Sequence, residues 1–313
     1  MTPTSIQDFL PLVERPSRYL GSEINTIRKD LSKTALKFAL AFPDIYEIGT
    51  SHFGIQILYQ VLNSHPDIAA ERVFAPAEDM EALLRSSHVP LTSLETHTPL
   101  IQFDIIGFSL LYELNYTNIL TILDLAGIPL LARDREKGVP LVVGGGPCTC
   151  NPEPLVDFFD AFVIGDGEEV ALEMAEAWLA CQKAGSTDRA EVLDAWSSIT
   201  GVYIPDRFPV CYDPSGFQKI QHIVDTAHTT TGKVARAVLA DLDRATFPGT
   251  PILPYGRPVH DRLRLEVSRG CTRGCRFCQA GMIYRPVRER SEKTLMDVSR
   301  ASLDQTGYED ISL

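Results

Sequence analysis

Three cysteines fall within eight residues near the end of this 313-residue chain, in the run CTRGCRFC from Cys271 to Cys278. Their spacing is C-x3-C-x2-C, on a loop after the alternating segment RLRLEV, and Gly270 and Gly274 give the backbone freedom to wrap a compact object. Three thiolates can ligate three irons of a [4Fe-4S] cube, which ordinarily takes four cysteines. The fourth iron is then open to a small molecule, just as a catalytic zinc site keeps one position open. A zinc site completed by a distant ligand such as Cys211 or His260 is the alternative, weakened because zinc knuckles ordinarily pair two C-x2-C units and only one is present. A chance grouping of buried cysteines is a weaker reading still. Arg269 and Arg273 would raise thiolate character, although solvated arginines are equally expected in such a loop.

The rest of the chain must position this loop. LKFALAF, at 36–42, reads as a strand buried on both faces. A helix over 52–63, a strand at 72–75, a helix over 79–86, a strand at 101–109 and a helix over 116–125 continue the alternation. Next come a strand at 130–132, the apolar run 140–143, a strand at 161–164 and a helix over 168–184. Strands alternating with helices imply parallel pairing, hence a doubly wound parallel α/β sheet of the flavodoxin-like type. Its binding crevice lies at the carboxyl ends of the strands.

Residues 1–35 read as a leader packing on that α/β domain of 36–184, and 185–261 as a connector of short β-like pieces with a proline-rich end. The remainder, 262–313, is a strand, the cysteine loop, a helix over 292–305 and an incipient strand. This is the first β/α unit of an incomplete core, expected to be inactive alone.

Composition sets outer limits. With 44% hydrophobic and 22% charged residues the chain is an ordinary globular one, long enough for two domains. A net charge of -12 with no compensating basic block gives no sign of a nucleic-acid surface; RPVRER at 285–290 reads first as a solvated, salt-bridged face. The absence of a secretory signal and of a long apolar run predicts a cytoplasmic protein that does not enter the membrane. Seven cysteines, three of them clustered, suit metal binding in a reducing compartment better than a disulfide framework.

CTRGCRFC resembles the motif of the radical S-adenosylmethionine (SAM) superfamily, C-x3-C-x-aromatic-C, with Phe277 in the aromatic slot. The resemblance implies that Cys271, Cys275 and Cys278 hold a [4Fe-4S] cluster and that SAM chelates the free iron, with Phe277 on its adenine side. One-electron reduction would then cleave SAM to a 5′-deoxyadenosyl radical that abstracts hydrogen from a substrate. It also implies a partial TIM barrel, and an electron donor such as flavodoxin or ferredoxin.

The α/β half resembles the cobalamin-binding domain that precedes the barrel in one large branch of these enzymes. The resemblance rests on Gly107-Phe108-Ser109-Leu110-Leu111, on Gly144-Gly145-Gly146, and on the turn IGDGEE with Asp166 and Glu168. It implies Ser109, Gly144, Gly145 and Gly146 as cobalamin contacts. The histidine motif D-x-H-x-x-G is absent; the corresponding loop is PDIYEIGTSHFG, where His52 either faces the corrin or caps and packs the helix, so cobalamin stays open. Cys148 and Cys150 in GGGPCTCNPEP suggest a second possibility, the extra cluster of a methylthiotransferase, although with Cys181 they do not reproduce its spacing. A radical enzyme acting on an unknown substrate by methyl transfer or modification of RNA, cofactor or peptide is thus the first expectation. A methylthiotransferase-like enzyme, or a non-catalytic corrinoid or iron-sulfur binding module, is the alternative.

Overall fold

The computed structural model of the chain describes residues 5–208, 210–220, 233–256 and 261–313. β1 (Leu36–Phe42) is the strand expected from its sequence. Its side chains divide by the two-residue period of a strand: Leu36, Phe38, Leu40 and Phe42 enter one core, Ala39 and Ala41 the other. A short helix α1 (Tyr46–Thr50) leads to α2 (Phe53–Ser64), then come β2 (Ile68–Phe74), α3 (Glu78–Ser87), β3 (Ile105–Ser109) and α4 (Tyr116–Leu125). β4 (Leu141–Gly145), β5 (Ala161–Val163), α5 (Glu168–Lys183), α6 (Arg189–Trp196) and β6 (Val202–Tyr203) complete the domain.

These strands form one six-stranded sheet in the order β2-β1-β3-β4-β5-β6. All neighbours are parallel except β5 and β6. Order 2-1-3-4-5 is the flavodoxin-like, doubly wound arrangement, and it places a crevice where β1 and β3 diverge toward opposite crossovers. Within the stretch expected to be a connector, α6 packs on α5, β6 joins the sheet beside β5, and a hairpin of β7 (Val210–Tyr212) and β8 (Gln218–Ile220) follows. Leu253 then bridges back to Ile24 of the leader.

The strand expected at 130–132 does not form. Arg135 reaches back instead, its guanidinium donating to the carbonyls of Pro129 (2.9 Å), Leu130 (2.7 Å) and Phe158 (2.7 Å). Those oxygens are therefore taken by a side chain rather than by a neighbouring strand. The turn Ala132–Asp134 is a 3-10 helix.

The leader covers the sheet. Ile6 and Phe9 are buried in the core shared with α3 and α4. All seven residues of β2, the outer strand, are buried, which closes an edge that would otherwise present unpaired amides. The clasp is ionic: Arg72 donates to Glu23 of the leader (3.1 Å) and to Glu95 (2.6 Å), while the Tyr46 hydroxyl donates to Glu23 (3.0 Å).

The cysteine-bearing unit starts at β9 (Leu263–Arg264), far shorter than the strand expected over 262–267: the Leu265 amide still donates to the Ser312 carbonyl (3.0 Å), but the chain then passes to β10 (Ser268–Arg269), which has a different partner. The loop expected after Cys278 contains the one-turn helix α7 (Ala280–Ile283) and β11 (Arg288–Glu289), antiparallel to β10. α8 (Glu292–Thr306) is capped by the Ser291 side chain, which accepts from the Thr294 amide (3.2 Å), and leads to β12 (Ile311–Ser312). β12 lies parallel to β9, so this unit is a β-α-β crossover, the element from which a parallel barrel is built. Among the described residues no helix is long and apolar enough to cross a membrane.

Replacing Arg72 with Ala strands two buried carboxylates, and urea unfolding should show a loss of about 3–5 kcal/mol. A loss below about 1 kcal/mol would remove the clasp from the account of stability.

Candidate functional site: the cysteine loop and the crevice

Cys271, Cys275 and Cys278 share one turn of loop, all three as free thiols. Cys275 is exposed and the other two are half-buried. The loop is shaped by two glycines with positive φ. At Gly270 (φ +96°) a Cβ would lie 2.5 Å from the Tyr284 carbonyl oxygen, so any side chain there would push the two ends of the loop apart. Gly274 takes φ +65°, in the left-handed region. The Cys278 amide donates to the Cys275 carbonyl (3.0 Å), and the Arg273 amide to Cys271 Sγ (3.5 Å). Amide-to-sulfur bonds of the latter kind stabilise a metal-bound thiolate and help set the potential of an iron-sulfur cluster. Phe277 is 92% exposed beside them. Among the described residues no three His, Cys, Asp or Glu side chains converge on a point for a single ion, and His260 lies outside those residues.

Arg269, two residues before Cys271, ties this loop to the sheet. It donates to Asp166 (3.0 Å) and Glu168 (2.7 Å) of the turn after β5, and to Glu266 (3.0 Å) of its own unit. Arg288 bonds Asp166 and donates to the carbonyls of Leu239 (2.8 Å) and Tyr284 (3.2 Å), and Arg290 donates to Glu266 (3.0 Å). Burial alone would push the Asp166 carboxyl up, but the bonds from Arg288 and the Leu239 amide and the charge of Arg269 hold it below the usual carboxylate range.

Between loop and sheet lies a cavity of about 460 Å³. Asp166, Glu168, Glu266, Arg269, Gly270 and Tyr284 contribute to its wall at the cysteine end. Leu40, Val143 and Val163 of the sheet, Leu58 of α2 and Met174 of α5 line its apolar part. Ser109, Gly145 and Gly146 are in the wall as well. Gly144 is not: a Cβ there would meet Leu110 at 2.7 Å and Phe162 at 2.8 Å, so this glycine serves packing beneath the crevice. Gly107 does line the cavity, and a side chain on it would strike the Phe38 ring at 2.8 Å. Met174 and Trp196 carried no sign of this role in the sequence, where Met174 falls in the helix expected over 168–184 and Trp196 in the expected connector.

Among the described side chains, Cys148, Cys150 and Cys181 do not assemble into a second set. Cys148 is buried in the core on one side of the sheet, its thiol hydrogen-bonded to Tyr116 and pushed up by burial, whereas Cys181 packs against the core on the other side. Cys150 is exposed, and burial around its thiol pushes it up too.

His52 lines the cavity at the start of α2 and makes no capping bond to the helix. Its ring rests on Phe42 (centroids 5.3 Å apart), and Nδ1 is buried with no hydrogen-bond partner. Burial, helped by the charge of Arg264, lowers its pKa from 6.5 to about 4. The folded chain therefore binds this proton less readily than the unfolded chain does. The stabilisation is complete above pH 6.5 and is lost as pH falls toward 4, in total on the order of 3 kcal/mol. Urea midpoints measured from pH 7 to 4.5 should fall more steeply for the native chain than for His52→Phe; parallel profiles would show that His52 titrates normally.

Residues 54–205 match the family model described as the N-terminal part of radical SAM proteins. An uncharacterized protein of Methanocaldococcus jannaschii, MJ0966, is 24% identical over 261 residues, which are 82% of this chain and 44% of that protein. The chain thus spans less than half the length of this relative. A solved structure titled as the apo, selenomethionine-labelled cobalamin-dependent S-adenosylmethionine radical enzyme OxsB superposes over 97% of this chain and 38% of its own, with a TM-score of 0.49 and 15% identity. Over residues 54–205, just under half of its length, the chain is thus similar to the N-terminal part of radical SAM proteins.

Proposed function

We propose that the chain is the cofactor-binding portion of a radical SAM enzyme in which Cys271, Cys275 and Cys278 hold a [4Fe-4S] cluster and leave its fourth iron to SAM. The observation that carries this reading is the thiol set itself: three free cysteines on one loop, one of them already accepting a backbone amide. When bound, the cluster supplies the single electron that cleaves the sulfonium of SAM. The chain's own residues have the tasks of holding and shielding. Arg269 and Arg288, anchored on Asp166 and Glu168, fix the loop against the sheet, and Gly270 lets it close. The exposure of Cys275 and Phe277 suits access by an electron carrier such as flavodoxin or ferredoxin.

The cavity suits a corrinoid. A large ligand that is apolar over much of its surface needs an apolar wall, and the one here is formed by the sheet with α2 and α5. Glycine backbone at Gly145 and Gly146 lets a broad flat molecule approach closely, and the ionic wall is already neutralised by its own pairs.

Anaerobic reconstitution with iron and sulfide should load about four irons per chain, and the EPR signal of the reduced protein should shift when SAM is added. Cys275→Ala should abolish the SAM response and most of the iron. Uptake of one zinc with refusal of iron would end this reading. Gly270→Ala removes no ligand, yet it forces Cβ onto the Tyr284 and Pro286 carbonyls; iron loading should fall severalfold while the α/β domain keeps its unfolding midpoint. Full loading in that variant would show that closure of the loop is unimportant.

A further inference from the structure

We propose that His52 is a specificity-determining residue of the cavity, hydrogen-bonding the carboxamide fringe of the bound corrinoid; this inference rests on the corrinoid reading above. The charged groups of the cavity are already committed, since Asp166, Glu168, Glu266 and Arg269 are paired with one another. His52 is different. Its Nδ1 is wholly buried and has no hydrogen-bond partner among the described residues. Buried polar groups in folded proteins are almost always paired, so an unpaired imidazole in a cavity wall points to a partner supplied by the ligand.

The ring is also held in place. Phe42 lies against one side at 5.3 Å and 39°, and Gly54 packs so close that a Cβ there would lie 2.8 Å from the ring's Cε1 and displace the imidazole. A residue at the helix N-cap position normally caps through a short side-chain oxygen. His52 makes no such bond, so capping does not account for it. Burial and Arg264 keep the imidazole neutral at physiological pH, and a neutral imidazole offers one donor and one acceptor. Carboxamides both accept and donate, and they surround the corrin ring. An anionic ligand group could use only the single N–H donor of an uncharged ring and would leave its acceptor nitrogen unpaired.

The test is hydroxocobalamin binding to the whole chain, followed by absorbance and equilibrium dialysis. His52→Phe keeps a ring but loses both nitrogens, and its Kd should rise about tenfold, the worth of one good hydrogen bond. His52→Gln keeps a donor and an acceptor and should stay within about threefold. Thermal unfolding of both variants checks that the fold is intact. In a sample labelled with 15N-histidine, the ring resonances missing from His52→Gln should move when hydroxocobalamin is added to the native chain. Native binding with an unweakened His52→Phe variant overturns the role of His52 alone, and so does nitrogen hyperfine splitting from His52 on the reduced cobalt, which would replace the hydrogen bond by coordination. Failure of the native chain to bind hydroxocobalamin overturns the corrinoid reading together with this inference.

Discussion

Arg269, lodged among Asp166, Glu168 and Glu266, is the contact on which the arrangement of this chain depends. The turn after β5 presents two carboxylates. The cysteine-bearing unit presents the three guanidiniums of Arg269, Arg288 and Arg290 against its own Glu266, a surplus of two positive charges that matches them. Removing such charges from water is unfavourable unless the pairing is nearly complete, so each unit favours this one docking over many others. On the other side of the same junction the contact is aromatic. Arg264 lies over Phe53, Phe53 packs on Phe247 at 4.8 Å, and Arg290 lies over Phe247.

The junction places the cysteine loop beside a cavity. Because Arg269 precedes Cys271 by two residues, anchoring its guanidinium fixes the start of the cysteine loop next to the cavity wall, and Gly270 belongs to both. The sheet order contributes the other half. Strands β1, β3 and β4 end at one crevice, and Gly107 on β3 adds no side chain to it and leaves room for the Phe38 ring. Leader, sheet and cysteine unit are thus joined by buried ion pairs at two places, the Arg72 clasp and the Arg269 junction.

Local signals carried much of this in the sequence. The continuous apolar run at Leu36–Phe42 and the apolar face at Tyr116–Leu125 determine their own structures, and both elements form with the bounds expected. The three cysteines stand out because their spacing is local, and the structure places all three on one loop. What the sequence leaves hidden depends on distant partners. Nothing local in 130–132 reveals that Arg135 will take the carbonyls of Pro129 and Leu130. Three successive glycines look alike, yet Gly145 and Gly146 face the cavity while Gly144 packs on Phe162. Asp166, Glu168 and Arg269 each stood out singly, but their ion pairs join positions about a hundred residues apart, and no periodicity links them.

The central claim is that three thiolates leave one iron of four distinct. Mössbauer spectroscopy of the chain reconstituted with 57Fe tests it most directly, with and without SAM. The account predicts that SAM changes the isomer shift of a single iron site and leaves three as they were. Four irons that respond alike, or none that responds, would contradict it.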